Sequence, residues 1–487
     1  YKSLNTANLP EPTIADGSQY FDTKLYTGNG STQSVTGYNF SPDFVWLKSR
    51  NQTYNHYLLD QIRGAGKVLH SNNTDATQNQ SDTLTSFNSD GFSLDSRTGV
   101  NSNNNTFVGW AWDAGDSNTT IAVGGLNSSV YDQSQNWTNL ISFNAGGWNG
   151  NGINPFNDNA TDYDYGDTTR ANGGYATLDV SSLTGSRVIS VTSEQTEVTI
   201  THAGGTTTYT PTTTSRLTHT FAAVSNPTSI KFDGLNGGSQ FVLVGVTIDG
   251  KRLVNSNITP SNVPSIASTV RANSSAGFSI AAASMPASGN PTIAHGLNAN
   301  PDMLIFKSRT STEAWYITHK GLTNQSNRFL RFDTSAELTN NNWFNNTAPT
   351  SSVVTLRVGG GISANENVII YSFSAVEGYS AMGSYTGNGS ADGPFIYTGF
   401  RPAWIMTKET TQAYPWQIQD TTRAPKNDAK EILYADNNWA EANSNANMDI
   451  LSNGFKPRRG SAYFNLNGGT IIYVAFAENP FKTARAR

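Results

Sequence analysis

The chain of 487 residues contains no cysteine, which excludes disulfides, thiolate chemistry and Cys-type zinc sites. Charge is scarce as well. Only 14% of residues are Asp, Glu, Lys or Arg, and 31 Lys+Arg against 36 Asp+Glu leave a net charge of −5. Without a basic run the chain lacks the clustered cations that phosphate neutralisation needs, so a nucleic-acid partner is not expected. No apolar run approaches the roughly eighteen residues of a membrane-spanning helix, so membrane insertion is not expected either. Helical periodicity is missing too, since no segment repeats apolar residues at i, i+3, i+4 and i+7 over several turns. Aromatics, in contrast, reach 11%, with 10 Trp and 20 Tyr. Few charges with many aromatics is the opposite of a disordered composition.

What is present is a repeat. The hexapeptide YTGNGS stands at Tyr26–Ser31 and again at Tyr385–Ser390. An apolar strand with Pro before it and Lys inside it occurs three times, as Pro42–Lys48, Pro301–Lys307 and Pro402–Lys408. Downstream, His56, Trp315 and Trp416 hold matched places, followed four residues on by Asp60, His319 and Asp420. Three further on stand Arg63, Leu322 and Arg423. The closing strands are Thr106–Trp112, Val368–Phe373 and Ile471–Phe476. Runs such as FVWLK, VIIYSF and IIYVAF are short, β-branched and aromatic, and Gly/Asn/Ser/Asp clusters bound them. They predict an all-β protein of tandem antiparallel β-sandwich (jelly-roll, lectin-like) repeats. The stretch between the first two copies breaks the pattern and predicts an inserted β-sandwich of a different type.

The expected organisation is an arm at 1–19 and a first repeat at 20–117. The inserted sandwich follows at 118–254, a linker at 255–265, and repeats at 266–377 and 378–487. Tyr1 is not a translation start, so the sequence is expected to be part of a longer or processed chain.

Several blocks carry a resemblance: the arm NTANLPEPTIADGSQYFDTKLYTGNGS, SPDFVWLKSR, RANSSAGFSI, WYITHKGL, EGYSAMGSYTGNGSADGPFIYTGFRPAW and YVAFAENPFK. Together they resemble marine tailed-bacteriophage virion proteins, described as structural, appendage or tail-fibre-like, with lectin-like (concanavalin/laminin-G-like) sandwich repeats. The resemblance implies a virion location and a structural or host-contact role. It implies other virion proteins as partners, together with further copies of this chain in a homo-oligomer, by analogy with fibres a trimer. Host surface glycans are the remaining partner it points to. It carries no catalytic residue across.

The residues themselves offer little chemistry. Six His are scattered, and nucleophile-elbow, phosphate-loop and dinucleotide motifs are absent. A non-enzymatic protein is therefore expected. A polysaccharide depolymerase, which needs two carboxylates across a cleft, and a connector binding only virion proteins are the alternatives. Asp60 and Asp420 each stand three residues before an Arg, which predicts structural pairs with Arg63 and Arg423. Trp315, Trp416, Tyr414 and Trp439 sit beside loop segments, where an exposed ring could stack on a sugar face. No cofactor is required. The loop holding Asp158, Asp162 and Asp164 packs oxygen ligands at the short spacings calcium prefers, and a plain Asn/Asp turn is its other reading. It also resembles the calcium-bearing loop of galactose-binding-like sandwiches.

Overall fold

The aromatic and β-branched runs form strands throughout, and the all-β expectation holds in the computed structural model. It describes residues 14–479 except 124–130, 145–146, 150–154, 157–163, 168–174, 236–239, 257–262, 333–337, 340–342, 444–446 and 461. Among the described residues the α-helices are two single turns, Thr98–Asn101 and Ala462–Asn465. The chain divides into two compact units, residues 1–121 with 266–487, and residues 122–265.

The first unit holds all three repeats, each built on one antiparallel sheet of the same strand order. In the first repeat the order is Phe21–Thr27, Thr106–Trp112, Phe44–Ser49, Tyr57–Asp60. The second repeats it as Phe278–Ser284, Asn367–Phe373, Met303–Ser308, Tyr316–His319, and adds Ser268–Asn273 and Thr119–Ile121 at one edge. The third runs Ser380–Thr386, Thr470–Asn479, Arg401–Glu409, Gln417–Asp420, Leu433–Tyr434. Register is shared as well: Phe44 faces Trp112, Met303 faces Phe373 and Trp404 faces Phe476.

These central strands read as nearly unbroken apolar runs because both of their faces are buried. One face packs on the repeat's own smaller outer layer. In the first repeat Val45 and Leu47 meet Phe92 and Leu94. In the second Leu304 and Phe306 meet Val354 and Trp343. In the third Ile405 and Ala475 meet Ile396 and Phe455. The other face joins a single core to which all three repeats contribute, including Phe44, Trp46, Trp110, Trp112, Met303, Ile305, Trp404, Met406 and Phe476. Ring centroids lie 4.7 Å apart for Phe44 and Tyr371, 5.7 Å for Trp112 and Trp404, and 6.1 Å for Phe373 and Phe476. Every repeat therefore touches the other two. A void of about 20 Å³, lined by apolar side chains, lies between them.

The three sheets form a closed ring within one chain. Large aromatics on both faces of each central strand cannot be covered by one thin outer layer, and the neighbouring repeats supply the second cover.

The repeated YTGNGS is a structural wedge. Tyr26 donates to the Val100 carbonyl, Asn29 N–H to Asn101 Oδ1 at 3.0 Å, and Ser31 N–H to Asn29 Oδ1. Tyr385, Asn388, Asn465 and Ser390 repeat the set around the second helical turn. A Cβ on Gly28 would lie 2.2 Å from the Ser102 carbonyl oxygen, and one on Gly387 2.2 Å from that of Leu466, so the backbones touch where Gly is required. Lys48, Lys307 and Lys408 point inward. All three are buried, and their ammonium groups cap the next carbonyl, those of Ser49, Ser308 and Glu409.

The second unit is the inserted sandwich. A five-stranded sheet ordered Ile141–Phe143, Tyr175–Asp179, Pro227–Gly234, Thr196–His202, Gly205–Tyr209 pairs with a larger one centred on Gln240–Ile248. Between them lie Trp137, Leu178, Ile200, Phe232, Leu243 and Val246, all buried. This unit ends at 265 rather than 254, since Asn255 is buried and its side chain pairs with Thr138 at 2.7 Å. Asp158 and Asp162 lie outside the described residues. Asp164 opens the strand Asp164–Asp167, where only its backbone is described.

Candidate functional site

Two of the four aromatics expected to meet a sugar are closed to it. Trp315 is 0% and Trp416 1% exposed, and both act as rivets between repeats. Trp315 Nε1 donates to the His70 carbonyl of the first repeat at 2.9 Å, and Trp416 Nε1 to the Arg331 carbonyl of the second at 2.9 Å. His56 stands at the matched position of the first repeat, and its Nε2 meets the Tyr434 carbonyl of the third at 2.9 Å. The acceptors are matched too, each following the Leu69, Leu330 or Leu433 strand position. Three equivalent ring nitrogens thus bind three equivalent carbonyls around a closed circle. The cover that hides these residues comes from a repeat distant in sequence.

A second circle uses the Asp–Arg pairs. Arg63 Nε meets Asp60 Oδ2 at 2.6 Å, and Arg423 Nε meets Asp420 Oδ2 at 2.6 Å, with all four side chains fully buried. In the first pair Tyr371 of the second repeat donates to Asp60 Oδ2 at 2.8 Å. In the second, Trp110 Nε1 of the first repeat donates to Asp420 Oδ2 at 3.0 Å. Burial works against the Arg63 cation, yet Asp60 and the Tyr371 hydroxyl outweigh it and hold the guanidinium above its ordinary value. In the third repeat the position matching Tyr371 and Trp110 is Val474, which has no donor to offer. In the second repeat His319 replaces Asp, Leu322 replaces Arg, and His319 Nε2 reaches the Tyr473 carbonyl at 3.2 Å.

The buried histidines make the fold acid-sensitive. His319 Nδ1 accepts the Gly321 N–H at 2.9 Å, so a second ring proton would oppose an N–H group. Burial pushes His319 and His295 down to about 4 from 6.5. From about pH 6.5 to 4 the unfolded chain takes up these protons and the folded chain does not. Stability present above pH 6.5 is therefore lost as pH falls, by about 3 kcal/mol per ring at pH 4. Asp43 and Asp436, raised to about 7 by burial, act in the opposite sense. The His295 contribution is isolated by comparison: urea unfolding at pH 7 and 4.5 should show a smaller acid loss in His295→Gln than in wild type. Equal losses would contradict it.

The other two predicted aromatics come together on the third repeat with two that sequence reasoning missed. Tyr414 packs edge-on against Tyr463 at 5.1 Å, and Trp439 against Tyr434 at 5.5 Å. Burial, then the nearby Tyr463 and Asp436, push Tyr434 up to about 12. Trp439 is 53% exposed, and Tyr414 and Tyr463 are half-buried. Asp436 accepts the Trp416 backbone N–H at 3.0 Å and flanks the group. Comparing copies would have exposed the missing members. At the matched positions the first repeat has Tyr54, Gly99, His70 and Asp75, and the second has Glu313 and Arg331. Among the described residues the four rings occur together on the third copy, although the first copy keeps Tyr54. Tyr434 is buried beneath Trp439, and the half-exposed rings, with an apolar face and a polar tip, suit ligands that present both. Among the described residues no group of three or more His, Asp or Glu is placed to hold a metal.

Fold and site together define an all-β protein of three sandwiches on one core, with an inserted sandwich and an aromatic surface on one copy. The chain belongs to the family described as a domain of unknown function, DUF7483, whose match covers residues 16–161 and 252–480. The unmatched interval falls within the inserted sandwich. No curated protein matches the chain. Among solved structures, arabinofuranosyltransferase AftD from Mycobacteria aligns over 74% of this chain and 34% of its own, at 7% identity and TM-score 0.17. The chain spans about a third of that protein's length, and a likeness this slight carries no argument.

Proposed function

We propose that the chain is a structural protein of a tailed-phage particle, a tail fibre or comparable appendage that contacts host surface glycans without cleaving them. The observation that carries the glycan contact is the aromatic group Tyr414, Tyr434, Trp439 and Tyr463 on the third repeat, of which the first repeat keeps only the tyrosine at the Tyr414 position, Tyr54. The sequence resemblance to virion proteins supports the location. Burial of Asp60 and Asp420 in ion pairs favours a binder over a depolymerase, because neither repeated carboxylate reaches a substrate. Trp439 is the anchor of the contact.

The test is binding of the purified chain to host cells and to a panel of bacterial surface glycans. Saturable binding competed by free sugar is expected. Trp439→Ala should weaken it by about thirtyfold or more, the loss of an anchor worth about 2 kcal/mol, with the melting temperature unchanged. A folded protein that binds no cell and no glycan would instead point to partners within the particle.

A further inference from the structure

We infer that the seam between the third and first repeats is a second binding site, for a single neutral sugar unit, separate from the aromatic group. A cleft of about 230 Å³ opens there, and Asp22, Arg401, Thr421, Thr422 and Glu478 line it above an apolar floor that includes Phe21. Its place in the ring explains it. After each Asp or His of the second circle, a short loop presses on the next repeat. In the first repeat the loop carries Gln61 and Ile62, and Ile62 packs against the shared core. In the second it carries Gly321, where an added Cβ would lie 3.0 Å from Ile472 and 3.1 Å from the Gly383 carbonyl oxygen, so that seam is shut. In the third the matched residues are Thr421 and Thr422, too small to reach across, and the seam stays open.

The lining has the chemistry of sugar recognition. A pyranose offers neighbouring hydroxyls, each donor and acceptor, around an apolar ring face. Carboxylates accept from such pairs, a guanidinium donates to them, and apolar lining such as Ala403 and Pro425 meets the ring face. Glu478 Oε2 pairs with Arg401 Nη1, and Asp22 Oδ1 accepts the Thr23 N–H at 2.7 Å, so the polar groups are held in place. Asp22 is paired with Lys24 at 2.6 Å and Glu478 with Arg401, so the cations at the cleft are already neutralised and an acidic sugar finds no counter-charge there. Neutral hexoses and N-acetylhexosamines are the class that fits.

Saturation-transfer NMR and calorimetry with glucose, galactose, mannose, N-acetylglucosamine and glucuronate test this on the whole chain. At least one neutral sugar should bind saturably, and glucuronate at least tenfold more weakly. Thr422→Ile, which fills the cleft as Ile62 does in the first repeat, should abolish that binding. Trp439→Ala should leave it unchanged, so failure here and failure at the aromatic group are read separately. If Thr422→Ile does not fold, Asp22→Asn carries the test with an expected loss of tenfold or more. Absence of binding by every sugar, or binding that survives both changes, overturns the inference.

Discussion

Replacing Arg423 with Met is expected to lower the stability of the three-repeat unit by about 3–5 kcal/mol. The guanidinium is fully buried between two carboxylates: its Nε meets Asp420 at 2.6 Å and its Nη1 meets Glu441 at 3.0 Å. Glu441 keeps a second cation in Arg50 of the first repeat, at 2.7 Å. Asp420 would keep only neutral donors, the Trp110 indole and the Arg423 backbone N–H. A buried carboxylate without its cation costs more than the pair contributes when intact. The double change Asp420→Asn with Arg423→Met should therefore recover part of the loss. Urea unfolding of the two variants decides the matter. A loss below about 1 kcal/mol for the single change would show the pair to be dispensable, as exposed pairs are. Loss of ligand binding at unchanged stability would make it a ligand site instead.

The third repeat, 378–487, expressed alone should fail to form a native fold. Its inner face carries Met382, Trp404, Met406, Trp416, Val474 and Phe476, all buried only where the other two repeats join the core. Fully burying one such side chain is worth about 1.5–3 kcal/mol, so exposing six costs about 9–18 kcal/mol, as much as the whole 5–15 kcal/mol stability of an ordinary domain. Dye binding to exposed apolar surface and a collapsed amide spectrum are the expected readings. A dispersed spectrum with a cooperative melt would mean that each repeat is self-sufficient.

Much of this was legible in the chain. The matched offsets from Pro to Lys, and on to Asp and Arg, come from a common strand order, so they survive in the sequence as equal spacing. YTGNGS is legible because backbone contact at Gly28 and Gly387 leaves room for nothing larger. Burial supplied by another repeat left no local trace. Trp315 and Trp416 stand beside polar loop residues, and the carbonyls that cover them, His70 and Arg331, belong to other copies. The signal that was present lay in FVWLK itself: a strand apolar on both faces needs two covers, and one sandwich provides one. The aromatic group was half legible. Tyr414 and Trp439 announce themselves beside loops, whereas Tyr463 emerges only against Gly99 of the first copy.

A ring closed by three separate chains must carry every substitution in triplicate. Here one chain writes each third of the circle independently. The second copy could exchange its ion pair for His319 and Leu322 while the others kept theirs, and the third could gather Tyr434, Trp439 and Tyr463 where the first has His70, Asp75 and Gly99. Such a molecule has threefold architecture but a valence of one at each of its surfaces. For the glycan contact proposed above, tightness would then depend on how many chains a larger assembly displays together, and on their spacing.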